Sequence, residues 1–257
     1  MNRPCLNNRL PLIPSPYIAP VSRMLAGLLL LALTLISTGL TAEVPLRAFT
    51  ASYDLYKGNL HLATSEISLQ REGQLWHWRT TTAARGMYAW FISNKVTSET
   101  TFIQVEDEIR IQRILNEDSN DKKKTEAASF DWDQGSIEVL RKGKHKQLPL
   151  DVEVYDYHSI HLLAVSMRMQ QLDKATVDFY RKGKITRSEL VYGGIENIDI
   201  DGNTVAAYFF EQVIVKSSSQ LKYYYSVENP LLPLRVEKRK PGKSPVTLTL
   251  RKVEWNL

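Results

Sequence analysis

The chain has 257 residues, 43% of them hydrophobic and 24% charged, a globular balance that excludes a disordered or fibrous protein. One long apolar run, at 24–36, excludes a multi-span helical membrane protein. The formal charge of +5 falls to +2, 30 basic against 28 acidic residues, once residues 1–42 are set aside. Charge therefore gives no reason to expect a nucleic-acid partner.

In chain order, residues 1–42 read as a secretory leader. Arg3, Arg9 and Arg23 supply positive charge, no Asp or Glu occurs before Glu43, and small residues lead up to Ala42. The 13-residue apolar core is shorter than the ~20 residues of a spanning helix, so cleavage near Ala42 is expected rather than a retained anchor. Cys5, the only cysteine, leaves with the leader, which suits a bacterial envelope compartment. Residues 43–257 are expected to form one periplasmic β-rich domain, long enough to bury a core without covalent staples.

Most of that domain alternates at period two, the signal of half-buried strands. Phe49, Ala51, Tyr53 and Leu55 share a face, and patterns at 60–70 and 74–84 follow short polar turns. Residues 84–91 suit a short helix or lid, and 116–126, without an apolar residue, a surface loop. Asp156–Leu172 changes period: Ile160, Leu163, Ala164, Met167 and Leu172 form a helical stripe, with Asp156 placed to cap it and Ser159 in its first turn. Strands then resume. Ala207, Phe209, Val213 and Val215 share one face, Tyr223–Tyr225 place rings on both faces, and Val246–Trp255 shifts phase near Arg251, which predicts a bulge. Glycine-bearing turns, including Gly202, punctuate the chain at short intervals, and Gly194 is expected to be a structural glycine. The fold class is mainly β: one antiparallel meander of ten to twelve strands, curled into a barrel or half-barrel to hide its edges.

Motifs for chemistry are few. His158 and His161 lie three apart on the helix but lack a third ligand, so no metal is expected. There is no Gly-x-Ser-x-Gly elbow, no phosphate loop and no dinucleotide fingerprint, and no catalytic residue or cofactor is assigned. The tetrapeptide Arg-Lys-Gly-Lys occurs at 141–144 and 181–184, each copy at a hairpin tip, with no implication of domain duplication. Basic clusters there, at Lys122–Lys124 and at Lys238–Lys243, protect edges or meet an anionic membrane surface. Aromatic side chains are the candidate ligand contacts: Tyr53, Trp78, Trp90, Tyr223 and Tyr225. A curled sheet that carries them encloses either a filled core or a ligand cavity.

The order of several short motifs resembles a known family. Tyr-Asp-Leu-Tyr-Lys-Gly-Asn-Leu-His-Leu-Ala at 53–63 is followed by Asp-Tyr-His-Ser at 156–159, Gly-Ile-Glu at 194–196, Gly202, and Tyr-Ser-Val-Glu-Asn-Pro-Leu-Leu-Pro-Leu-Arg at 225–235. Over roughly residues 47–256 the chain is similar to the bacterial "domain of unknown function 3108" family of exported proteins. The resemblance implies a periplasmic antiparallel β fold in a Gram-negative cell and carries over no activity. The function expected from the sequence is a non-enzymatic binding module for a lipid-like or other envelope component. The alternative is an envelope interaction or scaffold protein with a filled core, and a hydrolase comes third.

Overall fold

Period-two alternation at the start of the domain becomes a strand whose inner face carries Phe49, Ala51 and Tyr53, all buried. The computed structural model describes residues 44–85, 95–119, 121 and 125–256. The leader, Trp90, Lys122–Lys124 and the 86–91 part of the expected lid lie outside them, while Ala84 ends a strand.

Fifteen strands form one sheet: β1 (Phe49–Lys57), β2 (Leu60–Glu72), β3 (Leu75–Ala84), β4 (Lys95–Val105), β5 (Glu108–Asp118), β6 (Glu126–Asp131), β7 (Ser136–Arg141), β8 (Lys144–Pro149), β9 (Val154–Tyr155), β10 (Lys174–Arg181), β11 (Lys184–Ile200), β12 (Asn203–Ile214), β13 (Gln220–Ser226), β14 (Pro233–Lys240) and β15 (Lys243–Trp255). A single helix, α1 (Ser159–Met169), interrupts them between β9 and β10 among the described residues. Neighbours in the chain pair antiparallel from β1 to β8 and from β10 to β15, and β1 pairs with β15, so the sheet's middle joins the two ends of the domain. Its outer edges are β8 and the short β9, which runs parallel to β10. The sheet is mainly antiparallel and curled but not closed by hydrogen bonds. It exceeds the expected ten to twelve strands because β6 to β9 are only two to six residues long, and β8, Lys-His-Lys-Gln-Leu-Pro, has almost no apolar period to read.

The bulge near Arg251 is present: Ser52 faces Lys252 while Tyr53 faces Leu250, leaving Arg251 as the extra residue. A second bulge lies between Tyr192 and Gly194, where Gly194 has φ +98°. At the intervening Gly193 a Cβ would fall 1.9 Å from Phe209 Cε2, so only glycine lets that ring lie over the backbone. Gly202 has φ +80° in the β11–β12 turn.

Along strand β12 and just past its end, Ala207, Phe209, Val213 and Val215 lie on one face: Ala207 is fully buried with Phe209 packed against its cluster, while Val213 and Val215 are exposed. The core face carries Tyr208, Phe210, Gln212 and Ile214. A buried glutamine breaks the apolar pattern there, but its polar atoms are satisfied: Gln212 Nε2 donates to Ser188 Oγ at 3.0 Å and Tyr223 OH donates to Gln212 Oε1 at 2.5 Å.

Helix α1 lies inside the curl. Ile160, Ala164 and Met167 pack with Phe179, Phe210 and Tyr225, while Leu162 and Val165 pack with Phe49, Trp78 and Phe102. It is therefore buried on two faces, not along one stripe, and Leu163 is only partly buried. Asp156 Oδ1 accepts from the backbone N–H groups of His158 (3.1 Å) and Ser159 (2.8 Å), and Ser159 Oγ accepts in turn from Asp156 N at 2.8 Å. These bonds satisfy amides that a helix start leaves without partners. The helix stops before Leu172: Leu172 N–H returns to Met167 O and Gln171 N–H to Arg168 O, with Gln171 at φ +56°, a left-handed cap.

Candidate functional site

Four of the five aromatic candidates for ligand contact, Tyr53, Trp78, Tyr223 and Tyr225, are core residues, and Trp90 lies outside the described residues. Tyr53 is 1% exposed and donates to Pro233 O at 2.8 Å. Trp78 is 1% exposed, packs edge-on against Phe49, and stacks on His161 at 5.6 Å and His158 at 6.1 Å between ring centres. Tyr223 and Tyr225 are equally buried, and none of the four lines an open cleft among the described residues. The filled-core alternative thus describes the interior.

A polar chain crosses this core beside α1. Thr100 Oγ1 donates to Asp156 Oδ2 (2.5 Å) and lies 2.8 Å from His158 Nδ1, while His158 Nε2 is 3.0 Å from Thr80 Oγ1. His161 Nδ1 lies 2.8 Å from Tyr225 OH. Burial lowers the His158 pKa, against the opposing pull of Asp156. It pushes His161 down to about 3, helped by repulsion from His158. Ser159 Oγ donates to Asp156, not to an imidazole, and is fully buried. Among the described residues no three His, Cys, Asp or Glu side chains are grouped to hold a metal ion.

The open ground lies at the seam where the two ends of the sheet approach. Side chains close it: Phe130 of β6 meets Tyr180 of β10 edge-to-face at 5.8 Å, within a cluster that also holds Ile111, Ile137 and Val154. Glu126, assigned by its polar surroundings to a surface loop, is instead buried at the start of β6, and Asn116–Asp118 belong to β5. Glu126 Oε2 pairs with Arg141 Nε at 2.5 Å, and its Oε1 accepts from Gly183 N–H at 3.1 Å, across the seam. Arg141 is the register partner of Glu126 on the neighbouring strand β7, but the Gly183 amide comes from the far end of the sheet, and a buried carboxylate satisfied in that way has no local pattern in the sequence.

The signal that was available is the repeated tetrapeptide. Both copies are tight turns with two consecutive left-handed residues, Lys142 and Gly143 (φ +54° and +70°) and Lys182 and Gly183 (φ +51° and +68°). Curling of the sheet brings the two tips together: a Cβ at Gly183 would sit 3.3 Å from Arg141 Cδ and from Val139 Cγ1. Removing the carboxylate in Glu126→Ala is expected to cost about 1–3 kcal/mol, since the Gly183 amide loses its partner and Arg141 its ion pair. Denaturant melts of the variant check this.

Beside the paired tips opens a cleft of about 450 Å³, within the ~300–1,000 Å³ range of ligand sites. Ile114, Tyr157 and Tyr180 give it apolar surface, and Arg141, Lys142, Arg181 and Lys182 give it a cationic rim. Its serine, Ser98, donates to Asn116 Oδ1 at 2.5 Å. Arg141, Arg181 and Lys182 also border a second cleft on the far side of the tips.

An open β sheet wrapped round one helix, with a cationic cleft at its seam, defines a β-barrel-like protein whose interior is packed. The chain matches the family model "Protein of unknown function (DUF3108)" over residues 49–251 and belongs to that family. No curated protein matches it in sequence. Among solved structures it is similar to a β-barrel-like protein of the domain of unknown function DUF1849 from Brucella abortus, at 11% identity and a TM-score of 0.57, covering 84% of this chain and 99% of that one. A protein from Bacteroides fragilis with a YmcC-like fold aligns at 6% identity over 82% of this chain and 98% of that one, with a TM-score of 0.30. A third, from Parabacteroides distasonis, aligns at 10% identity over 82% and 97%, also with a TM-score of 0.30.

Proposed function

We propose that this protein is exported to the periplasm and binds an anionic, lipid-like component of the cell envelope in the seam cleft, without catalysis. The observation that carries the reading is the pairing of apolar Ile114, Tyr157 and Tyr180 with the rim of Lys142, Arg181 and Lys182, beside an Arg141 that Glu126 already holds. Such a surface complements a ligand with an apolar body and a negative head. The leader pattern at 1–42 supports export. A docking role for an envelope protein is the second reading, favoured by the packed aromatic interior.

Native mass spectrometry of protein from its own periplasm tests the first reading. Co-purified anionic lipid is expected in the parent chain and is expected to fall sharply in Lys142→Glu, which reverses an exposed rim charge that the second cleft does not share, with the circular dichroism spectrum unchanged. A parent chain without lipid, or a folded Lys142→Glu chain that retains it in full, rejects cleft binding. Amino-terminal sequencing of the same sample is expected to begin near residue 43.

A further inference from the structure

We propose that the second cleft, on the far side of the paired tips, is a binding site for a multiply charged anion of the phosphate-ester class. It encloses about 710 Å³, and its lining includes Arg181, Lys182, Lys184, Lys216, Lys238 and Lys240 but no Asp or Glu. These cations converge from separate parts of the chain: the β10–β11 turn, the connection after β12 and the end of β14. Arg141 borders the cleft too, but its charge is already met by Glu126.

Edge protection, the ordinary reason for lysines on strands, does not account for the arrangement. Strand β14 lies between β13 and β15, away from both sheet edges, so Lys238 and Lys240 shield no open edge. The carboxylate that precedes them in sequence, Glu237, is bound by Arg239 at 2.6 Å. Burial and the nearby charges of Lys240, Arg181 and Lys182 all depress the Lys238 pKa, as expected where like charges gather without a counter-ion. Gathering them costs repulsion that a bound dianion relieves. Ser218 and Ser219 also line the cleft and carry hydroxyls of the kind that donate neutral hydrogen bonds.

This assignment deepens the proposed binding role and rests on it for the kind of ligand, since the anion is either a free phosphate or the head group of an envelope lipid. Two probes separate the sources: inorganic pyrophosphate by calorimetry, and flotation with phosphatidic acid, a phosphomonoester, against phosphatidylcholine vesicles. Each is run on the parent chain, on Lys238→Ala/Lys240→Ala, and on Lys144→Ala/Lys146→Ala, which removes equal charge from edge strand β8. The parent is expected to bind pyrophosphate or the anionic vesicles, the β14 variant roughly tenfold more weakly, and the β8 variant like the parent. Pyrophosphate binding points to a soluble phosphate, and vesicle binding alone to a head group. No binding to either probe, or equal loss in both variants, overturns the site. Pyrophosphate binding that depends on Lys238 and Lys240, in a chain that carries no lipid, leaves this site standing and rejects the lipid-binding function alone.

Discussion

Leu162→Ala is expected to lower the unfolding free energy by about 2–5 kcal/mol, the range for truncating a fully buried leucine. Leu162 has no exposed surface and lies in the cluster of Phe49, Trp78 and Phe102, walled by strands that pair along their length. Such walls collapse little into a cavity, which favours the upper part of the range. Leu163→Ala is expected to cost less, because Leu163 is only partly buried. Urea melts of the two variants check the order. Equal costs would mean that α1 sits differently in the curl.

Acidification is the second large effect. The His161 pKa, about 3 in the folded chain, lies below its ordinary value of 6.5 because burial disfavours the imidazolium. Between those values the unfolded chain binds a proton that the folded chain does not. The stability from His161 is therefore complete above about pH 6.5 and is lost progressively as the pH falls towards 3. Going from pH 7 to pH 5 removes about 2 kcal/mol through this residue. Denaturant melts at both pH values are expected to show a smaller loss, by about that amount, in His161→Gln than in the parent chain. Identical losses would place a proton on His161 in the folded state.

Strand β1 and helix α1 show what a local pattern can carry. The alternation Phe49, Ala51, Tyr53 needs only neighbouring residues to be read, and it marks the true inner face. Asp156 and Ser159 announce the helix start for the same reason, since a cap bonds amides within three residues of itself. Strand β12 shows the limit. Gln212 is admitted to the core by Ser188 and Tyr223 on other strands, so an apolar count alone does not mark every inward position. The helix stripe fails in a related way: Leu162 and Val165 join the core because the sheet surrounds α1, which its own sequence does not record.

The strand-rich class, the glycine turns, the bulge at Arg251, the helix start and the family resemblance are all legible in short stretches of chain. The three-dimensional fold is needed to see that the candidate aromatics Tyr53, Trp78, Tyr223 and Tyr225 fill the interior, that Glu126 is buried at a seam, and that the two Arg-Lys-Gly-Lys tips, about forty residues apart, meet there. Burial and electrostatic pairing depend on which distant strands the curl brings together, and a charged hairpin tip reads the same in solvent as at a cleft.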